Sequence, residues 1–201
     1  MLYNRIVYQR EAKKIFRSLN TAEMSCCEIS GKYGKQFGFK SFEAFHYPQH
    51  DICVDTPRDE NGEVRKFDMV VADQVWEHLD RPYAATRHVL EMLNPGGYFY
   101  ICVPFYVRYH LYPVDCSRWS ARGLKNLLIE SGFAEENIQS AQWGNLTCAR
   151  RECGYRFARW KEGDPVENDE RFPIVAWALA QKPAKETPRD TAEPAAQPDV
   201  G

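Results

Sequence analysis

The chain has 201 residues, 44% of them hydrophobic and 27% charged, enough apolar side chain for one domain with a substantial core, which excludes disorder along the whole length. Of 26 basic and 28 acidic residues, two and four fall within 183–201, leaving 24 of each sign in the body and no overall field to attract nucleic acid or anionic lipid. The longest apolar stretch, 98–107, is broken by Pro104 and falls well short of the ~20 residues that span a bilayer. Arg5, Arg10, Glu11, Lys13 and Lys14 stand where a signal peptide needs its apolar region, so a cytoplasmic protein without a membrane span is expected. Seven cysteines, odd in number and with no Cys-x-x-Cys pair, read as free thiols.

Residues 3–19 set Ile6, Val7, Ile15, Phe16 and Leu19 at helical spacing among basic and polar residues. They predict an amphipathic helix, with 1–20 packing on a domain that spans 21–182. Residues 26–29 read as a short buried strand ending at Ser30-Gly31, 41–45 as a second, and 51–54 as a third. After a polar turn over 56–66, residues 67–72 form a central strand, apolar on both faces as parallel strands are. Residues 83–93 carry helical periodicity, stopped by Asn94-Pro95-Gly96-Gly97. A strand over 98–103 follows, then a helix over 124–130 capped by Ser120 and closed before Gly132, and strands over 138–143 and 173–181 with no strong helix between them. The alternation predicts an α/β fold, mainly parallel, with an antiparallel pair at one edge and its chemistry at the carboxyl ends of the strands. Beyond Lys182 the sequence turns to Pro, Ala, Thr and charge, so 183–201 is expected to be a disordered tail.

Glu28-Ile29-Ser30-Gly31-Lys32-Tyr33-Gly34 places a carboxylate and a small-residue turn at the end of the first strand, where backbone can approach a ligand. Later come Phe67-Asp68-Met69-Val70-Val71-Ala72-Asp73 before Val75-Trp76-Glu77-His78-Leu79, then Asn94-Pro95-Gly96-Gly97-Tyr98-Phe99, then Leu124-Lys125-Asn126-Leu127-Leu128 before Ser131-Gly132-Phe133. This ordered series, covering most of 24–182, resembles the class I S-adenosylmethionine-dependent methyltransferases with a methyltransferase type 11-like domain. The resemblance implies a Rossmann-like sheet of seven strands and S-adenosylmethionine as cofactor. It places Glu28, Ser30, Gly31 and Gly34 in the cofactor turn, His46 where the family has its ribose-binding carboxylate, Asp51 and Ile52 at the adenine, and Asp73 and Gln74 near the methionine part. The chain departs from the pattern at Ser30 and Lys32, where glycines would stand, and at His46, where an acid would.

The loop over 104–120 is long, aromatic and polar, and overhangs the expected cofactor site. His110 and Asp115 read as general base and orienting acid, with Arg108, Tyr109 and Arg118 as substrate-binding residues. Asp115 and Arg118 read equally well as a pair tying the loop to the next helix. His78 reads as a polar residue bonded to nearby backbone. His46-x-x-x-His50-x-x-Cys53 has zinc-ligand residue types but spans two short strands and a proline turn, so no metal is expected. Arg150, Arg151, Arg156, Arg159 and Lys161, interleaved with Tyr155, Phe157 and Trp160, read first as a solvated helix and second as a grip for phosphate or bases. Methylation of base amines is disfavoured, because Ala72-Asp73-Gln74-Val75 stands where an Asn/Asp-Pro-Pro-aromatic tetrad would be. The expected function is methyl transfer to a small-molecule or carbohydrate-like acceptor at oxygen. The alternatives are a non-catalytic binding protein on the same fold and an RNA methyltransferase using 150–161.

Overall fold

The computed structural model describes residues 1–155 and 158–184. Its strands are β1 (Ser25–Ile29), β2 (Ser41–Phe45), β3 (Phe67–Asp73), β4 (Leu93–Pro104), β5 (Ile138–Gly144) and β6 (Pro173–Gln181), in the spatial order β2-β1-β3-β4-β6-β5. The first four run parallel, and β6 is antiparallel to both of its neighbours. This is the α/β sheet expected, with six strands among the described residues instead of seven. The strand expected over 51–54 is a turn: the Asp51 carboxylate accepts the Cys53 N–H at 2.9 Å, and the Asp51 carbonyl accepts the N–H of Val54. Local bonds from an aspartate outcompete a strand ladder here.

Side-chain alternation along the central strands assigns the helices to their layers. Phe99, Ile101 and Val103 of β4 and Ala176, Ala178 and Ala180 of β6 face one core, shared with α2 (Pro82–Met92) and α3 (Ala121–Glu130). Tyr100 and Cys102, with Val175, Trp177 and Leu179, face the other, shared with α1 (Tyr3–Arg17) and α4 (Leu146–Gly154). Ser120 caps α3 by accepting the Gly123 N–H at 3.2 Å, as its sequence predicts. In α1 the fully buried face is Tyr3, Val7, Tyr8, Ala12 and Phe16, so two tyrosines join the face expected, with Ile15 and Leu19 packing partly buried against the same core. Phe16 stacks on Phe37 at 4.1 Å between ring centroids, and each such ring removed from water contributes about 1.5–3 kcal/mol.

Two further expectations shift. Asn94-Pro95-Gly96-Gly97 ends α2 but lies inside β4, absorbed as an irregularity of register against β3, with Gly96 at φ 80°. A helix, α4, does join β5 to β6, capped by Asn145, whose side chain accepts the Cys148 N–H at 2.9 Å. The tail expected over 183–201 lies, from residue 185 onward, outside the described residues, as do Arg156 and Phe157. Among the described residues no helix is long and apolar enough to cross a membrane.

Candidate active site

β1 and β3 are neighbours, with β2 beyond one and β4 beyond the other, so the chain leaves them toward opposite edges of the sheet. Their carboxyl ends form the crevice in which open α/β sheets bind ligands. Each strand is followed by a non-glycine residue in the left-handed region, Ser30 at φ 56° and Gln74 at φ 61°. That conformation costs about 1–3 kcal/mol and turns each chain sharply away from the sheet. Ser30 thus adopts the backbone shape that a glycine at its place would provide without strain.

Glu28 is buried beneath the first turn. The N–H groups of Tyr33 and Gly34 donate to its two oxygens at 2.8 and 2.7 Å, and a Cβ at Gly31 would lie 2.0 Å from Oε1. Burial raises the Glu28 carboxyl above its ordinary pKa, with the Gly34 and Tyr33 donors pulling it back. Its carboxylate therefore braces the turn.

A cavity of about 610 Å³ opens beside this turn, within the size range of ligand pockets. Ser30, Asp51, Ile52 and Gln74, four of the residues that the resemblance assigns to the cofactor, line it together with His50 and Val75. Glu28, Gly31 and Gly34 lie outside that lining, His46 is exposed and also off the wall, and Asp73 sits behind it. Burial pushes the Asp73 carboxyl up to about 7, against Arg5 and a hydrogen bond donated by the Tyr8 hydroxyl at 3.1 Å. Nε2 of His50 is buried with no hydrogen-bond partner among the described residues. An apolar cleft with an aspartate and an unmatched imidazole nitrogen on its wall fits a nucleoside-bearing cofactor.

A second cavity, of about 240 Å³, shares Gln74 and His78 with the first. Its other walls come from Arg5 and Tyr8 of α1, Arg108, Tyr109 and His110 of the loop, and Glu152 of α4. The short turn Trp76–His78 anchors the shared wall: the fully buried Trp76 donates from its indole to Thr86 at 2.9 Å. Above it, the Cys116 N–H donates to the Glu77 carbonyl at 2.7 Å and His78 Nδ1 bonds the Val114 carbonyl, which pins the loop. Asp115 accepts the His110 N–H at 2.9 Å, lies 3.3 Å from His110 Nδ1 and is gripped by both terminal nitrogens of Arg118. Arg118 is thus committed to Asp115 and lines neither cavity, whereas Arg108, Tyr109 and His110 face the smaller one. For Asp115, burial opposes ionisation, but Arg118 and the His110 N–H outweigh it and hold the carboxyl below its ordinary pKa.

The sequence does not single out Arg5, Tyr8, Glu77 or Glu152 as site residues. Burial raises Glu77 to about 8 and Glu152 to about 7, and Oε2 of the former and Oε1 of the latter have no partner among the described residues. The metal spacing weighed at His46, His50 and Cys53 is not assembled. Instead Glu77, His78 and His110 each bring one ligand atom within 4.8 Å of the others. In the basic segment, Arg151 binds Asp164 through two nitrogens, one of them at 2.7 Å, and lies 5.4 Å over the Tyr3 ring, so its charge serves the fold.

The sequence profile of the methyltransferase domain family matches residues 12–138. The chain belongs to this family. It is a class I S-adenosylmethionine-dependent methyltransferase by fold and family, as its motif order indicated. Among solved structures it is similar to an S-adenosylmethionine-dependent methyltransferase of Thermotoga maritima, named as a possible histamine N-methyltransferase, at 14% identity and a TM-score of 0.60 over 90% of this chain and 91% of that one. It is also similar to one of Archaeoglobus fulgidus, at 13% identity and a TM-score of 0.56 over 89% and 94% of the two chains. At such identities the likeness concerns the fold alone. A search of proteins with curated functions found no match.

Proposed function

We propose that this methyltransferase acts on a hydroxyl oxygen of a small, planar or carbohydrate-like acceptor held in the smaller cavity. The observation that carries the reading is the shared wall: two cavities of unequal size meet at Gln74 and His78, one fitted to a nucleoside cofactor and one lined by polar groups. Asp51, His50, Ser30 and Gln74 would hold the cofactor, with Glu28 acting through the turn it braces. S-adenosylmethionine supplies an electrophilic methyl group on a sulfonium. The protein's larger task is to hold the acceptor in line with it, which contributes up to about 7–11 kcal/mol. Tyr109 and Tyr112, exposed at the cavity mouth, offer ring faces to the acceptor.

A hydroxyl must lose its proton as it attacks. Glu77, His78 and His110 supply the basic atoms at the cavity wall, and Asp115 orients His110. An amine acceptor is a second reading, favoured by the unmatched carboxylate oxygens of Glu77 and Glu152 beside the same cavity. The cavity volume supports a small acceptor over RNA, and the internal pairing of Arg151 supports the same choice. Seven free cysteines, four of them buried, support a reducing compartment such as the cytosol.

Calorimetry with S-adenosylmethionine and S-adenosylhomocysteine is the first test, and mass spectrometry of incubations with phenolic, sugar and amine acceptors is the second. Binding of both cofactor forms with an O-methylated product supports the proposal. An N-methylated product moves the assignment to the amine reading, and absence of cofactor binding overturns both.

A further inference from the structure

We propose that Glu77, His78 and His110 bind a divalent transition-metal cation at the junction of the two cavities, where it would receive the acceptor oxygen. The three residues reach this point from separate segments, the turn after β3 and the loop after β4, and each offers one ligand atom within 4.8 Å of the other two. Nε2 of His78 lies 3.6 Å from Oε1 of Glu77. Bonds of about 2.0–2.1 Å in a tetrahedral set leave neighbouring ligand atoms ~3.3 Å apart, so this pair needs only a slight contraction, and small rotations of the rings serve the rest.

The proton positions favour a cation. Nδ1 of His78 faces the Val114 carbonyl, an acceptor only, so it carries the ring's hydrogen and leaves Nε2 with a lone pair toward the Glu77 carboxylate. Nδ1 of His110 faces two acceptors, the Arg108 carbonyl and Asp115 Oδ2, each at 3.3 Å, which frees its Nε2 in the same way. Imidazoles that ligate metals are oriented by just such partners on the far nitrogen. Glu77 is 1% exposed, Oε2 has no hydrogen-bond partner, and no lysine or arginine among the described residues pairs with it. A buried carboxyl group with an unmatched oxygen, set beside two imidazole nitrogens that carry lone pairs, is an arrangement that a positive centre completes.

Two imidazoles and one carboxylate suit zinc, manganese(II), iron(II) or cobalt(II) better than magnesium or calcium, which prefer all-oxygen shells. Three protein ligands leave coordination positions open toward the cavity. The cation's part in catalysis rests on the methyl-transfer reading, whereas its binding does not. With the cation bound, the three side chains would serve as its ligands in place of acting as the base, and a hydroxyl on the cation would release its proton to solvent. The oxygen then forms its bond to the methyl carbon as the sulfur–methyl bond breaks, and S-adenosylhomocysteine leaves with the electron pair.

The test is titration of the chelator-treated protein with Zn²⁺ by calorimetry and with Co²⁺ by visible absorption. One equivalent should bind, with cobalt bands of nitrogen and oxygen ligation and no thiolate charge-transfer band, so that Cys116 and Cys153 are excluded as the ligands. Glu77→Gln, nearly isosteric, and His110→Ala should each weaken binding at least ~10-fold. If a variant fails to fold, paramagnetic shifts of histidine ring protons in the Co²⁺-loaded parent decide the matter. No binding at ~100 µM metal, undiminished binding in both folded variants, or shifts confined to other histidines would overturn the site. S-adenosylmethionine affinity, measured on the same samples, reports separately on the methyl-transfer reading.

Discussion

The two cavities share a wall and differ in how they are made. The larger is assembled largely from strand ends and turns between Ile29 and Arg81, its shape set by backbone conformation at Ser30 and Gln74 and by the Asp51 turn. The smaller draws on residues as far apart as Arg5 and Glu152, and four elements must be in place before it exists. The larger is lined by more apolar side chains, and its carboxylates, Asp51 and Asp80, reach water, while those of the smaller, Glu77 and Glu152, are buried. A defect in the first should therefore appear as lost affinity, and a defect in the second as lost turnover or altered pH behaviour.

His110→Ala puts the greatest strain on this division. Removing a proton-accepting or metal-ligating group at the acceptor is expected to lower turnover by ~100- to 10,000-fold, with S-adenosylmethionine affinity nearly unchanged. Steady-state kinetics beside calorimetry would show the split. Turnover within about threefold of the parent would mean that His110 merely braces the loop.

Asp51→Ala tests the opposite side. A hydrogen bond involving a charged group contributes about 1.5–3 kcal/mol, so cofactor affinity should fall roughly 10- to 100-fold while turnover at saturating cofactor is largely kept. Glu28→Ala should behave differently from both, because it strands the N–H groups of Tyr33 and Gly34 under the turn. A cost of about 1–3 kcal/mol is expected, seen as a melting temperature lower by several degrees together with weaker cofactor binding. Unchanged melting with weakened binding would place Glu28 in direct contact with the cofactor.

The same contrast explains what was legible in the sequence. β3, β6 and the Ser120 cap follow from runs of apolar residues and a single capping hydroxyl, signals contained within a few neighbouring positions. Much of the larger cavity's wall is legible for the same reason, since Ser30 and Gln74 follow the strands β1 and β3, and Asp51 and Ile52 stand at the place in the motif order that the family pattern assigns to the adenine. The 51–54 strand misleads because Ile52, Cys53 and Val54 have strand-forming side chains while the Asp51 carboxylate captures the backbone. Glu77 and His78 give no such warning. They follow a buried tryptophan in a three-residue turn, and their chemistry arises only when His110, 32 positions later, folds back over them. Arg5 and Tyr8 fall outside the apolar set that the sequence picks out in α1, and only the docked helix shows that Tyr8 is buried and that both residues line a cavity.

Stability against pH also reports on the buried carboxyls around the smaller cavity. Burial raises the Asp73 and Glu152 carboxyls to about 7 and that of Glu77 to about 8, against ordinary values near 4 in an unfolded chain. Between pH ~4 and ~8 the folded protein thus keeps protons that the unfolded chain has lost, so stability falls as pH rises through that window. Asp73→Asn removes one of these ionisations and keeps a carbonyl to accept the Tyr8 hydroxyl. The variant should melt close to the parent at pH 4.5 and above it at pH ~8, with a shallower slope between. A parent whose melting temperature rises from pH 4.5 to 8, or an Asn variant that loses stability equally at both, would show that Asp73 is ionised in the fold and that Arg5, 3.6 Å away, outweighs its burial.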